Sequence, residues 1–566
     1  MSRRKRSAAG LTRLSTLIAG AFSLAGPGSL ALAKPPTLSG LFPPGAARGQ
    51  TATVTASGTF DHWPVKGWAE GSGVEILAGP EKGKLSIRVA EDAQPGVRWV
   101  RLHDEEGATD LRPFIIGTLP EVIEVEPNDE PSHPQAISLP SATVNGRLAR
   151  GGDVDGYSVM LGKGQTLVAD LEANRHLGAP MDAVLQVVSA SGFVLAQNDD
   201  AVGRDPRIVF EAPTAGTYLI RVFAFPVTPD SSIRFAGGEA FLYRLTLTTA
   251  GFLDHVFPLA IFKDGRGSVE AVGSNLPQTP RRLTVPLGDD DHRDLLRVSH
   301  PLLAGTAVVR SVADQMVIES EPNDLARPQE IPNRSAVSAR IDERGDRDAY
   351  RIVLKKGDTR LIRVESRSLG YPLDAVLRVF GADAKVLAEA DDVGQKRDPE
   401  LSFTSPLDGE YRIVVRDLNG NGGPRFAYLL NVTLPEPDFT LALAAGRFDV
   451  TPGTVTRLSV NVDRKSGYSA PIEVLAENLP AGVVMSPAIS RPGDASAKSV
   501  MVELRADVRA LPGPFRVVGK SLTGSRRVHL GNAAIGGFDV RTDSLWITIR
   551  PAAVPSNKSQ EAGKPH

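Results

Sequence analysis

The sequence predicts an all-β protein, a multidomain array of antiparallel β-sandwiches, on three observations. Short runs rich in Val, Leu, Ile and Tyr recur at intervals of about 8 to 15 residues, divided by Gly, Pro, Asn and Asp, as strands and turns do. Glycine (55) and proline (43) are plentiful among 566 residues while aromatics reach only 6%, and no segment sustains a helical period. At about 150 residues per domain, this length calls for about four domains. Cysteine is absent, which removes disulfides, thiolate metal sites and cysteine nucleophiles.

The first element, residues 1–33, reads as a cleavable secretory signal. Arg3, Arg4, Lys5 and Arg6 precede an apolar stretch from Leu17 to Leu32 that Gly20, Gly26, Pro27 and Gly28 interrupt. Ala31-Leu32-Ala33 offers an A-x-A site, placing cleavage after Ala33. The stretch is too short and broken for a membrane span, and an uncleaved anchor is the alternative. Arg3-Arg4 admits twin-arginine export, although the apolar residues expected directly after such a pair are missing. A secreted, periplasmic or cell-surface location follows.

Beyond this segment 59 basic side chains face 66 acidic ones, and no basic cluster remains. Phosphate backbones attract basic faces, so a nucleic-acid partner is not expected, and neither is a membrane span.

Residues 34–118 are predicted to form an immunoglobulin-like sandwich, with strands at Thr51 to Thr55, Lys84 to Val89 and Val97 to Arg101. Residues 251–316 predict a smaller version: Phe257-Pro258 echoes Phe42-Pro43, and Gly267 to Val272 is its clearest strand. Residues 437–552 predict a last immunoglobulin-like sandwich, with strands at Phe439 to Leu443, Leu458 to Val462, Val500 to Leu504 and Leu545 to Ile549. Residues 553–566 are polar and are expected to be disordered.

Between these lie two copies of one domain, at 119–250 and 317–436. Ile123-Glu124-Val125-Glu126-Pro127-Asn128-Asp129 returns as Ile318-Glu319-Ser320-Glu321-Pro322-Asn323-Asp324. Gly152-Asp153-Val154-Asp155-Gly156-Tyr157 returns as Gly345-Asp346-Arg347-Asp348-Ala349-Tyr350. Asp182-Ala183-Val184-Leu185 matches Asp374-Ala375-Val376-Leu377, Asp199-Asp200 matches Asp391-Asp392, and Gly216-Thr217-Tyr218 matches Gly409-Glu410-Tyr411. Most other positions differ, so a shared physical requirement held these islands. The period is too long for a solenoid and marks duplicated domains.

Carboxylate and amide oxygens gather at the head of each copy: Glu124, Glu126, Asn128, Asp129, Asp153 and Asp155, then Glu319, Glu321, Asn323, Asp324, Asp346 and Asp348. Hard divalent cations take six to eight such oxygens, and calcium tolerates irregular geometry. If the segment is extended, Glu124, Glu126 and Asn128 project to one side. The plainer alternative is a set of Asx turns on a solvated face. Asp199-Asp200 and Asp391-Asp392 read as hairpin turns, and Gly288 to Asp294 as a loop.

This ordered series of motifs resembles the bacterial pre-peptidase C-terminal domain, over nearly half the chain. The resemblance implies a jelly-roll-like β-sandwich of a kind that accompanies secreted peptidases and other extracellular proteins. It also implies kinship with collagenase collagen-binding domains, in which the acidic N-terminal segment binds calcium. The twelve residues above thereby become candidate calcium ligands.

A catalytic constellation is not evident. The nine histidines are scattered, with no H-E-x-x-H pair, no G-x-S-x-G elbow, no P-loop and no G-x-G-x-x-G opening a helix. His62 with Trp63 and Trp68 reads as a packed surface cluster. The expected function is a secreted, non-catalytic binding, adhesion or scaffold protein, stabilised by calcium, whose partner is an extracellular protein or polysaccharide. The alternatives are an accessory or targeting subunit of a secreted peptidase or other hydrolase, and a cryptic hydrolase whose triad comes from distant residues.

Overall fold

The computed structural model describes residues 34–228, 234–263, 267–279, 281–285, 294–392, 397–524 and 527–550. The expected signal segment, its cleavage site, the loop from Gly288 up to Asp294 and the polar tail lie outside the described residues.

Among the described residues, the first repeat has ten strands: β1 (Glu121–Ile123), β2 (Gln135–Ala136), β3 (Ser141–Arg147), β4 (Asp155–Leu161), β5 (Thr166–Glu172), β6 (Met181–Ser189), β7 (Val194–Asn198), β8 (Arg207–Glu211), β9 (Gly216–Pro226) and β10 (Leu242–Thr248). They form two five-stranded sheets, ordered β2-β4-β9-β6-β7 and β8-β5-β10-β3-β1. Without the short β1 and β2, the order is that of an eight-stranded jelly roll, in which successive strands cross between facing sheets except at the β6–β7 hairpin. The alternation of strand side chains fills the space between the sheets with Val144, Leu167, Leu171, Leu185, Ile220 and Leu245, all buried.

The second repeat follows the same plan: β11 (Gln315–Ile318), β12 (Gln329–Glu330), β13 (Ser335–Arg340), β14 (Arg347–Leu354), β15 (Thr359–Glu365), β16 (Ala375–Phe380), β17 (Val386–Ala390), β18 (Glu400–Thr404), β19 (Gly409–Asp417) and β20 (Ala427–Thr433). Its sheets run β12-β14-β19-β16-β17 and β11-β13-β20-β15-β18, each strand ten places after its counterpart. The aspartate pairs differ from the hairpin expectation. β7 and β8 belong to opposite sheets, as do β17 and β18, so Asp199-Asp200 and Asp391-Asp392 lie in crossovers between sheets.

The remaining segments are also all-β. Among the described residues, 40–117 form two four-stranded sheets, and 252–312 form two three-stranded sheets. Residues 438–549 join eleven strands in one hydrogen-bonded network around a core that includes Phe439, Leu458, Val502 and Phe515. In strand Val455–Lys465, buried Leu458, Val460 and Val462 alternate with exposed neighbours.

The last of these segments packs against the first. Alternation puts Leu545 and Ile547 into the core of 438–549 and leaves Trp546 on the outer face, yet Trp546 is only 2% exposed. It is covered from the first segment by Trp68 (5.8 Å between ring centroids), His103 (4.9 Å) and the Arg101 guanidinium (5.6 Å). Trp99 meets Phe538 at 4.9 Å, and Arg447 reaches Asp110 at 2.8 Å. Trp68 thus packs on Trp546 while Trp63 packs on Phe60, so the two tryptophans of the expected cluster serve different ring contacts.

Burial, then the nearby Lys66 and Arg101 charges, push the His103 imidazole down to about 4. Its folded pKa is depressed, so the unfolded chain binds the proton more tightly. The contact is at full strength above about pH 6.5 and weakens as pH falls toward 4. Denaturation midpoints taken at about pH 7.5 and about pH 5 should differ more in wild type than in His103→Gln. An equal difference in both proteins contradicts this assignment.

Candidate metal centre

The acidic segment leaves the sheet at Ile123, where β1 ends. Residues 124–134 are not a strand: the Asn128 N–H donates to Glu126 Oε2 at 2.9 Å, bending the chain back on itself. The Asn128 carbonyl then accepts the Gly156 N–H at 3.2 Å, fastening the loop to the start of β4. Asp153 and Asp155 stand at that start, so the loop and the strand entrance face each other. An extended approach by Glu124, Glu126 and Asn128 is thus replaced by a turn that brings different oxygens together.

In the first repeat, carboxylate oxygens of Glu126, Asp129, Asp153 and Asp155 lie within 4.8 Å of one another. Asp153 and Asp155 are 1% and 0% exposed, whereas Glu126 is open to solvent. Asp153 Oδ2 accepts the Ala149 N–H at 2.5 Å, and Asp155 Oδ2 accepts the Tyr243 hydroxyl. Their other oxygens, together with Asp129 Oδ1 and both polar atoms of the Asn128 side chain, are buried without a hydrogen-bond partner. Glu124 accepts the Arg147 N–H and stands beside Glu126.

Burial, then the Glu124 charge, holds the Asp155 carboxyl well above the usual carboxylate range. Burial likewise raises Glu124, with Glu126 and Asp153 adding to the rise, and it raises Asp153. Buried acceptors lacking donors, massed with like charges, are costly unless a cation supplies what is missing. The donor set of carboxylate and amide oxygens matches a hard divalent ion.

In the second repeat, carboxylate oxygens of Glu319, Glu321 and Asp348 lie within 4.8 Å. Asn323 again donates its N–H to the glutamate two residues earlier, here Glu321, at 2.9 Å. Asn323 Oδ1 and Asp348 Oδ1 are buried without partners. Asp346 and Asp324 stand outside the group. Asp346 accepts the N–H groups of Asp342 (2.9 Å) and Arg347 (2.7 Å). Asp324 is exposed and accepts from Ala326 and Arg327 in its own turn, which lowers its pKa.

A tyrosine pair behind each cluster escaped sequence reasoning. Tyr157 on β4 and Tyr243 on β10 meet at 2.5 Å between hydroxyls, and Tyr243 holds Asp155. Tyr350 and Tyr428 repeat this at 2.8 Å, with Tyr428 on Asp348 at 2.5 Å. The signal was present, since both closing strands of the repeats carry Tyr as their second residue. Tyr243→Phe leaves the buried Asp155 Oδ2 and the Tyr157 hydroxyl short of a partner, at a cost of about 1–3 kcal/mol. Chemical denaturation at a fixed calcium concentration should read that loss, and an unchanged midpoint contradicts it.

Fold and site together define a class: an all-β chain of sandwich modules in which a repeated jelly-roll carries an acidic oxygen cluster that could hold a metal. Within that class, residues 153–224, from the buried Asp153 into β9, match the bacterial pre-peptidase C-terminal domain. The second repeat shares its strand order but lies outside the matched residues. A stretch of 118 residues is 36% identical to a probable subtilase-type serine protease of Deinococcus radiodurans, covering 21% of this chain and 15% of that protein. Among solved structures, the periplasmic inhibitor of g-type lysozyme from Aeromonas hydrophila matches at 16% identity, over 23% of this chain and 97% of its own, with a TM-score of 0.16. The N-terminal four Ig domains of Dscam1 isoform 8.4 match at 9% identity over 92% and 98%, with a TM-score of 0.17. Scores this low carry no argument about function.

Proposed function

We propose that this chain is an exported, non-catalytic β-sandwich assembly whose repeated jelly-roll domains bind calcium, and that it serves binding, adhesion or scaffolding outside the cytoplasm. The observation that carries this reading is the set of buried oxygens of Asn128, Asp129, Asp153 and Asp155 that lack a hydrogen-bond donor beside Glu126. Calcium suits that set better than magnesium, because it accepts six to eight oxygens in irregular geometry, whereas magnesium demands a near-ideal octahedron. Export is supported by the basic start and apolar run of residues 1–33. The partner is an extracellular protein or polysaccharide.

Limited proteolysis tests the reading. Calcium should protect the 124–155 segment, and a chelator should open it to cleavage, because a bound ion ties the loop to β4. An identical cleavage pattern in both conditions contradicts the proposal.

A second reading, an accessory subunit of a secreted hydrolase, is favoured by the match to a subtilase-type protease relative. Co-elution of this chain with a secreted peptidase would support it, and separate elution at micromolar concentrations would oppose it.

A further inference from the structure

We infer that the two acidic clusters are unequal, with the tight divalent-cation site in the first repeat and a much weaker one in the second. The inference rests on the calcium reading above and adds which of this chain's own residues set the affinity.

The repeats look equivalent in sequence, with six acidic or amide positions each, but the structure uses those positions differently. The first cluster joins four carboxylates within 4.8 Å, the second three. Asp153 keeps Oδ1 buried and without a hydrogen-bond partner, the exposed Arg150 standing 3.9 Å away, whereas its counterpart Asp346 gives both oxygens to backbone N–H groups. Asp129 likewise keeps Oδ1 buried and unpartnered, whereas Asp324 is turned to its own loop and to Arg327.

The asparagines diverge in the same direction. Asn128 has both side-chain polar atoms buried and free, but Asn323 donates Nδ2 to Glu319 Oε1 at 2.9 Å. That same oxygen accepts the Tyr350 hydroxyl at 2.7 Å. Hydrogen-bond donors thus already serve the lone pairs that an ion would claim in the second cluster. In the first, an arginine is the local competitor: Arg150 reaches Asp129 at 2.5 Å and Asp153 at 3.9 Å. Its side chain is 71% exposed, so it can swing into solvent at little cost. Calcium affinity follows the number of charged ligands and the rigidity of the site, so a gap of at least about tenfold is expected.

Calorimetric titration of calcium into the full chain tests this, using wild type, Asp153→Asn and Asp346→Asn, with near-ultraviolet circular dichroism as the check on folding. The expected result is one tight equivalent per chain, lost in Asp153→Asn and kept in Asp346→Asn. Glu126→Gln, at an exposed position where folding is not at risk, should weaken the same tight equivalent at least about tenfold. Two equivalents of equal affinity, or a tight site lost only with Asp346→Asn, overturns the inequality and leaves calcium binding standing. No binding at millimolar calcium in the folded wild type overturns both.

Discussion

Trp546→Ala is expected to loosen the protein by about 3–5 kcal/mol and to detach its last module from its first. The size follows from burial. A tryptophan that is 2% exposed loses its transfer energy and leaves a cavity that Trp68, Arg101 and His103 cannot fill without moving. The location follows from strand alternation. Trp546 points away from the core holding Leu545 and Ile547, so its own module should keep its fold. The loss therefore falls on the contact between residues 40–117 and 438–549. Small-angle scattering should show a larger radius of gyration for the variant, and denaturation should split into separate transitions for the two modules. An unchanged radius and a single unchanged transition contradict the contact.

Asp155→Asn is expected to abolish the stabilisation proposed to come from calcium. Asp155 is fully buried in the first cluster, with one oxygen on Tyr243 and the other without a partner. The substitution keeps the shape and an acceptor for the tyrosine, and removes the charge that an ion would neutralise. If the dissociation constant lies near 10⁻⁴ M, as in extracellular calcium modules, about 10 mM calcium should stabilise the native state by about 2.7 kcal/mol. The variant should forfeit that amount. In chelator it should be at least as stable as wild type, because a buried carboxyl crowded by Glu124 and Asp153 is then a liability.

Much of this was legible in the sequence because strands and repeats are local. Apolar runs marked strands such as Lys84 to Val89 and Leu458 to Val462, and the returning islands marked the repeated segments. The acidic residues of the first cluster were named from their clustering alone. What sequence could not convey was which oxygens remain free. Asp346 and Asp153 occupy matching positions, and only the backbone around them decides that one is saturated by N–H groups while the other is not. The tyrosines behind each cluster come from the closing strand, far along the chain, so no local motif joins them to the aspartates. The Trp68–Trp546 contact spans almost the whole chain and has no periodic signature.

The pairing of aspartates in turns is a lesson of the same kind. Asp199-Asp200 looks like hairpin chemistry, but the flanking strands belong to opposite sheets. Turn residues announce a change of direction, and the sheet each strand joins is settled by its apolar face and its neighbours.

Thermal unfolding of the wild-type chain in calcium and in chelator is the most direct test of the proposed metal centre. A midpoint that rises by several degrees with calcium, and that stays level in Asp155→Asn, is the result predicted for an ion held between the Glu126–Asp129 turn and the start of β4. A wild-type midpoint that is the same at millimolar calcium and in chelator would contradict it.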